Sequence, residues 1–387
     1  MAAKFASIVC LYYPSQLIPA LAAVFSYRQT KGQAQDDPVM VVVWCAPSVD
    51  DRTRELRLQT FQTLLTVVNG AFLVFFSREE TAGDLSTSRQ VDDKAQYFRE
   101  HHLSMPVGDV FFSHDISEDF SAQMLMRACP DAERICFGDA WGLVYSNTYF
   151  ESITYPCGVG LALKAPATWS LNLLVRYRRR RVRGPRYLWL DARFVILILP
   201  NDPGLDFLPG KTQLKVGRET VEQVIAMLGS VVSGGNFSLS RQPDAVLLVG
   251  SFAESRLCDE SNELALYADV LAELLPSDSA LLVKGHSAAT RHKILKIAEQ
   301  SARNNCVEVI PETLSELPIE ILAGVWPEAR IVSFAYASVS LTYLKREGVL
   351  HAMHNLMIDK YFPPSSHAWM KSSNDLYLSE MEIARLT

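Results

Sequence analysis

The sequence predicts an α/β protein built from two doubly wound parallel sheets, and three observations carry that prediction. Short apolar runs alternate with segments of helical spacing along most of the chain, as strands and crossover helices do. Several of the runs have no polar interruption, which suits strands covered on both faces. The alternation lapses between Tyr149 and Pro200. After Gly234-Gly235-Asn236 and a polar stretch to Pro243, it starts afresh as a second unit.

In the first unit, Ala6 to Leu11 reads as a strand, and Pro14-Ser15-Gln16 turns into a helix from Leu17 to about Tyr27. Val39 to Trp44 is a valine-rich strand, Arg52 to Val68 a helix and Ala71 to Phe76 a third strand. Val91 to Glu100 and Ser121 to Cys129 have helical spacing. Val110 to Phe112 and Arg134 to Phe137 are strands leading into Ser113-His114-Asp115 and Gly138-Asp139-Ala140-Trp141-Gly142. Tyr149 to Pro200 reads as a basic insertion containing one buried run, Phe194 to Leu199. Glu219 to Val232 is a helix.

The second unit begins with the strand Ala245 to Gly250. Its central strand is Leu281-Leu282-Val283, flanked by helices from Glu263 to Leu275 and from Ala288 to Gln300. Val307 to Ile310 and Ile331 to Phe334 complete it. Ligands in such sheets sit beyond the carboxyl ends of the strands. Lys284-Gly285-His286-Ser287 falls there: two donors able to hold an anion, and a glycine that lets backbone approach a ligand. Two such domains facing a central cleft make the GT-B architecture of nucleotide-sugar glycosyltransferases. Two-domain binding proteins and epimerases share the pattern.

Composition narrows the functions. The 387 residues suffice for two domains, and 49% are apolar, so a large core is expected. The net charge of -6 (37 minus 43) argues against a general nucleic-acid binder. Seven scattered cysteines with no C-x-x-C pair indicate neither a zinc ribbon nor a disulfide framework, and reduced thiols fit a cytoplasm. No stretch reads as a secretory signal or a spanning helix, so a cytoplasmic protein is expected. The charge is uneven, with seven arginines between Arg176 and Arg186. Arg178, Arg179, Arg180 and Arg181 are expected to meet an anionic acceptor or the anionic inner face of a membrane.

Other residues can carry chemistry. Asp139, in a glycine-bounded loop after a strand, can act as a general base, with Asp115 next in line. Gly250 and Ser251 follow the first strand of the second unit, where small residues can approach a nucleotide. Glu320, at a helix start after Pro318, can accept from ribose hydroxyls. Ser333, Ser338 and Ser340 follow the last strand and can hold an anion. Each position has an ordinary alternative as a cap or turn residue. No D-x-D, P-loop, G-x-G-x-x-G or G-x-S-x-G motif occurs, so metal-held diphosphate, kinase, dinucleotide and serine hydrolase chemistry lack support.

These pieces together resemble the bacterial sialyltransferases and polysialyltransferases of GT-B fold that use CMP-activated sugars. Tyr13-Pro14-Ser15-Gln16-Leu17 resembles the turn after their first strand, and Gly138-Asp139-Ala140-Trp141-Gly142 their acidic motif. Lys284-Gly285-His286-Ser287 is similar to their K-x-H-P motif, Pro318-Ile319-Glu320 to their ribose-binding segment and Ser338-Val339-Ser340 to their serine pair. Ser287 stands where the family has proline, and Ala140 where it has an acid or glycine. The resemblance implies an inverting transfer of sialic or a related ulosonic acid from CMP to a glycan hydroxyl, in bacterial surface polysaccharide synthesis. It implies Asp139 as base, His286 on the donor phosphate, and no cofactor or metal. It also implies an acceptor domain over 1–238, with the insertion at about 150–200, and a CMP-sugar domain over 239–365. A tail over 366–387 would return to the first domain. A UDP- or GDP-sugar transferase and a non-catalytic envelope-assembly protein of the same fold are the alternatives.

Overall fold

The structure is a computed structural model that describes residues 6–45, 49–76, 88–113, 120–137, 157–183, 194–197, 212–233, 241–287, 289–302, 305–334, 351–353, 355–367, 370–371 and 384–386. Two compact units form. The first comprises Met1–Tyr12, Gln16–Ser48 and Asn69–Thr220, the second Tyr13–Ser15, Val49–Val68 and Val221–Thr387.

The first unit holds a parallel sheet of β1 (Ala6–Leu11), β2 (Val39–Val43), β3 (Ala71–Phe75), β4 (Val107–Phe112), β5 (Glu133–Cys136), β6 (Phe194–Leu197) and β7 (Thr212–Lys215), in the order β3-β2-β1-β4-β5-β6-β7. All five residues of β2 are buried, as its unbroken V-M-V-V-V run requires, whereas the edge strand β3 is half-exposed. The helices are α1 (Leu17–Lys31), α3 (Ser88–His102), α4 (Phe120–Ala128), α5 (Val159–Lys164) and α6 (Pro166–Arg183). Helix α1 ends at Gly32, whose φ of 66° suits a residue without Cβ. Strand order reverses at β1/β4, the switch point of a doubly wound sheet.

The stretch from Tyr149 to Pro200 is less of an insertion than the sequence suggests. Its apolar run supplies β6, which pairs with β5 (Ile135 opposite Phe194) and continues the sheet. Strand β7 is not legible as an apolar run. Thr212 and Lys215 are exposed, as edge-strand residues are.

The second unit repeats the plan with β8 (Ala245–Val249), β9 (Ala280–Gly285), β10 (Cys306–Val309) and β11 (Arg330–Val332), in the parallel order β10-β9-β8-β11. Its helices are α7 (Arg218–Ser233), which starts at the end of the first unit, α8 (Glu260–Leu274), α9 (Arg291–Ser301), α10 (Ile319–Val325) and α11 (Asn355–Tyr361). Helix α2 (Asp51–Leu65) also belongs to this unit, although it follows β2 in the chain. Strands β12 (His351–Met353) and β13 (Ala384–Leu386) form a small parallel pair, and Ser366 Oγ donates to Leu257 O (2.9 Å). Both units are doubly wound and Rossmann-like, the pair of domains that the GT-B type contains.

Candidate functional site

In the second sheet the strand order reverses between β8 and β11, so the crevice beyond their carboxyl ends is where a ligand of this topology is held. Gly250 and Ser251 leave β8, His286 and Ser287 leave β9, Ser333 leaves β11, and Glu320 stands in the first turn of α10. The fold thus brings Gly250, Ser251, Lys284, Gly285, His286, Ser287 and Ser333, seven of the residues singled out in the sequence, to one end of one sheet. Asp139, Ser338 and Ser340, with His114 and Asp115, lie outside the described residues. Arg178 to Arg181 lie in α6 of the first unit, and their side chains fall outside the description.

The loop after β8 is held by buried charge. Lys293 Nζ donates to Gly250 O (2.9 Å), to Glu254 Oε2 (2.6 Å) and to Glu263 Oε1 (2.8 Å). The Lys293 and Glu263 side chains are fully buried. Glu263 also accepts from the amides of Phe252 (3.3 Å) and Ala253 (2.8 Å), and Glu254 from the amide of Thr290 (2.8 Å). The Gly250 amide donates to Tyr267 Oη (2.6 Å). Burial pushes the Glu263 carboxyl up, against the pull of Lys293. The sequence suggested that this loop gives backbone donors to a nucleotide. The amides of Gly250, Phe252 and Ala253 are instead taken up inside the protein, and the buried Ser251 faces Ser255 Oγ across 3.5 Å. Beneath the loop, Phe252 packs on Phe334 and edge-on against Phe362, with ring centroids 6.1 and 5.3 Å apart.

Strand β9 runs two residues further than the apolar run alone predicts, because Lys284 and Gly285 pair with Leu248 and Val249 of β8. Lys284 is therefore a buried strand residue. Its ammonium donates to Gly285 O (3.0 Å) and Ser315 O (2.9 Å), which places two of its three protons. Burial pushes its pKa down to about 8, opposed by Glu316 and Glu320. Gly285 has a packing reason as well as the one suggested by the sequence. A Cβ there would lie 2.2 Å from Ile294 Cδ1 and 3.5 Å from the Ala289 Cβ, so the glycine lets α9 close on the strand.

The turn that follows is fastened at both ends. The His286 amide donates to Val249 O (2.7 Å), and His286 O accepts from the Ala289 amide (2.8 Å). Helix α9 begins at Arg291 rather than at Ala288, because the Thr290 hydroxyl caps it by accepting from the Lys293 amide (3.4 Å). The imidazole of His286 is pushed down to about 4, by burial first and then by the positive charges of Lys284 and Lys293. At pH 7 it is therefore neutral, with one ring N–H rather than a charge.

Glu320 is buried, with Pro318 capping its helix. Ser333 is fully buried and its hydroxyl donates to Phe334 O (3.4 Å). The segment before α10 is tied down from α2. Arg57 Nε donates to Glu316 Oε2 (3.0 Å) with both side chains buried, and the guanidinium lies 4.6 Å from the Tyr13 ring centroid. Arg52 pairs with Glu312 (3.1 Å) in solvent. Among the described residues no three His, Cys, Asp or Glu side chains come together as metal ligands would. An open cavity of about 270 Å³ lies at the opposite, amino end of β9 and β10, lined by Arg241, Leu281 and Glu308 among others. It shares no residue with the carboxyl-end cluster, and chemistry rather than volume places the site.

No protein-family model matches the sequence, and no curated protein matches it. Among solved structures, the chain is similar to a UDP-N-acetylglucosamine 2-epimerase from Rickettsia bellii. That match has TM-score 0.47 and 12% identity, over 96% of this chain and 88% of the other. A sialyltransferase from Photobacterium damsela gives TM-score 0.41 and 10% identity, over 99% and 82%. A glycosyltransferase from Rickettsia africae ESF-5 gives 0.38 and 10%, over 98% and 95%. Similarity at this level says nothing about substrate.

The sequence reading missed Lys293, Glu263, Glu254, Tyr267 and Arg57. A signal for two of them was present. Glu263 stands on the helical stripe of Leu266, Tyr267, Val270 and Leu271, and Lys293 on that of Ile294, Ile297 and Ala298. A charge in an apolar stripe marks a buried ion pair.

Proposed function

We propose that the protein is an inverting glycosyltransferase that moves sialic acid or a related ulosonic acid from a CMP-sugar to a glycan hydroxyl. One observation carries the proposal: Lys284, His286 and Ser287 gather with Glu320 around the carboxyl ends of a Rossmann-like sheet, over buried Lys293. That arrangement suits a ligand with one phosphate and a ribose. Neutral His286 donates its N–H to a phosphate oxygen, and Ser287 and Ser251 add hydroxyls. Lys284 and Lys293 supply fixed positive potential from beneath. Glu320 accepts from the ribose hydroxyls.

In the reaction the acceptor oxygen bonds to the anomeric carbon on the face opposite CMP. The bond from that carbon to the phosphate oxygen breaks, and its electron pair leaves with CMP. The hydroxyl proton passes to Asp139. Negative charge then grows on the phosphate, where His286 is placed to be strengthened as a donor, and such stabilisation is often the largest catalytic contribution. One phosphate and two lysines need no metal to balance charge, so the reaction proceeds without cofactor. Ser338 and Ser340 are proposed for the donor carboxylate or phosphate.

Release of CMP from CMP-sialic acid or CMP-Kdo, with a glycan acceptor and EDTA present, tests this. Wild type is expected to turn over, and His286→Ala to lose about 10²-fold or more, roughly 3 kcal/mol. Turnover of UDP- or GDP-sugars alone, or strict dependence on manganese, overturns the CMP assignment. Full activity of His286→Ala removes the phosphate role.

A further inference from the structure

The first unit carries a surface that the transfer reading does not use. Helices α5 and α6 follow each other through the single residue Ala165, and Trp169 Nε1 donates back to Cys157 O (2.9 Å). Among the described residues, six of the eleven large apolar side chains exposed to solvent belong to this segment: Val159, Leu163, Leu171, Leu173, Leu174 and Tyr177. Val159 and Leu163 are 77% and 81% exposed. Exposed apolar side chains scattered singly are ordinary, but a cluster marks a surface that something covers. Leu171, Leu174 and Tyr177 recur every three residues, so they share one side of α6. Positions 178 and 181 follow Leu174 at four and seven residues, and Arg178 to Arg181 and Arg183 fill the last turns of the same helix. The chain as a whole is negative, at -6, so this concentration of arginine is a local inversion of its charge.

We infer that the α5–α6 segment is a docking surface for an anionic lipid bilayer. Basic residues alone suit any polyanion, but a soluble glycan or nucleic acid does not cover leucine and valine. A bilayer does both: headgroups neutralise the arginines while apolar side chains sink to the acyl boundary. Tyrosine suits the headgroup level between the two. No helix among the described residues is long and apolar enough to cross a membrane, so in this proposal the segment lies along the surface. The inference is independent of the donor assigned above, because it concerns where the protein is held.

Flotation with vesicles of phosphatidylcholine, with and without phosphatidylglycerol, tests it on the full chain. Wild type is expected to float with the anionic vesicles, and less so at high salt. Changing Arg178, Arg179, Arg180 and Arg181 to serine is expected to lower binding several hundred-fold, at about five-fold (about 1 kcal/mol) per arginine. The pair Leu171→Ser and Leu174→Ser is expected to lower binding about ten-fold or more at either salt concentration. Leu171 and Leu174 are exposed on α6, and unchanged circular dichroism and melting temperature verify folding of both variants. No flotation of wild type overturns the inference, as does equal flotation of all three proteins. Binding to a soluble polyanion with loss only in the arginine variant also overturns it, and assigns the tract to that polyanion instead.

Discussion

The two sheets share one strand order over their first four strands, 3-2-1-4, yet among the described residues they bury their charge at opposite ends. In the first unit the buried ions stand at the amino ends of the strands. Arg28, 1% exposed, donates to Ser7 Oγ and to the carbonyls of Gln35, Asp37 and Pro38, while Tyr27 donates to Glu133 and is coupled to Asp109. Among the described residues, its carboxyl end carries neutral hydrogen bonds. Tyr12 Oη pairs with Ser121 Oγ (2.7 Å), and the Tyr12 amide donates to Gln16 Oε1 (2.8 Å). In the second unit Lys284, Lys293, Glu254 and Glu263 stand at the carboxyl ends, with His286 among them. Topology alone therefore does not make an anion site. Charge at the amino end fastens a helix and a turn, whereas charge at the carboxyl end faces the crevice where such sheets hold ligands.

The largest expected effect tests that asymmetry directly. Lys293→Met leaves Glu263 buried without its cation, and is expected to cost about 3–5 kcal/mol. Arg28→Met is expected to cost a similar amount in the first unit. Urea unfolding followed by tryptophan fluorescence measures both. Only Lys293→Met is expected also to weaken the proposed CMP binding under native conditions, because only it releases the loop at Gly250. Equal loss of CMP affinity in the Arg28 variant would break the comparison.

A smaller effect is expected at Gly285. Gly285→Ala drives a Cβ into Ile294, so it is expected to destabilise by roughly 1–3 kcal/mol, as overpacking does. The double variant Gly285→Ala with Ile294→Val is expected to recover part of this. No recovery would mean that the glycine serves the backbone or a ligand rather than packing.

The smallest effect is a pH dependence confined to the second unit. His286 titrates near 4 in the folded chain and near 6.5 when unfolded, so between those values the unfolded state holds more protons. Stability is therefore lost as pH falls from about 6.5 towards 4. Between pH 7 and pH 5 the histidine accounts for a loss on the order of 1–2 kcal/mol. The difference in unfolding free energy from urea titration between wild type and His286→Gln is expected to shift by that amount, in favour of the variant at pH 5. A parallel response of the two proteins would mean that His286 is not held neutral.

Much of this fold was legible in the sequence because its strands are apolar without interruption and its helices keep their period. The strand Ala6 to Leu11 was read to the residue, and Ala245 to Val249 within one residue. The misreadings have physical causes. Lys284 and Gly285 extend β9 because neighbouring β8 offers them backbone partners, which no local pattern reveals. Strand β7 is polar because it lies at an edge. At the site, the motif Lys284-Gly285-His286-Ser287 was visible as a cation and a histidine after an apolar run. What each group does there depends on residues distant in sequence: Ser315 for Lys284, Ile294 for Gly285, and Lys293 for the charge on His286.

The Arg57–Glu316 pair has a consequence for how the chain can be cut and how it assembles. Its two members are 259 residues apart, yet both side chains are nearly closed to water. The second unit is assembled from three separate stretches of chain, and α2 is made long before the strands it serves. A fragment starting at residue 239 would lack Arg57 and Tyr13 and would leave Glu316 buried beside Lys284 with its arginine gone. During synthesis the early helix must wait for most of the polypeptide to emerge before Glu316 reaches it. Contacts of such long separation slow folding. The unit that binds donor in the proposed reaction is thus the last part of the protein to be completed, and separately expressed halves are expected to recover it only when mixed.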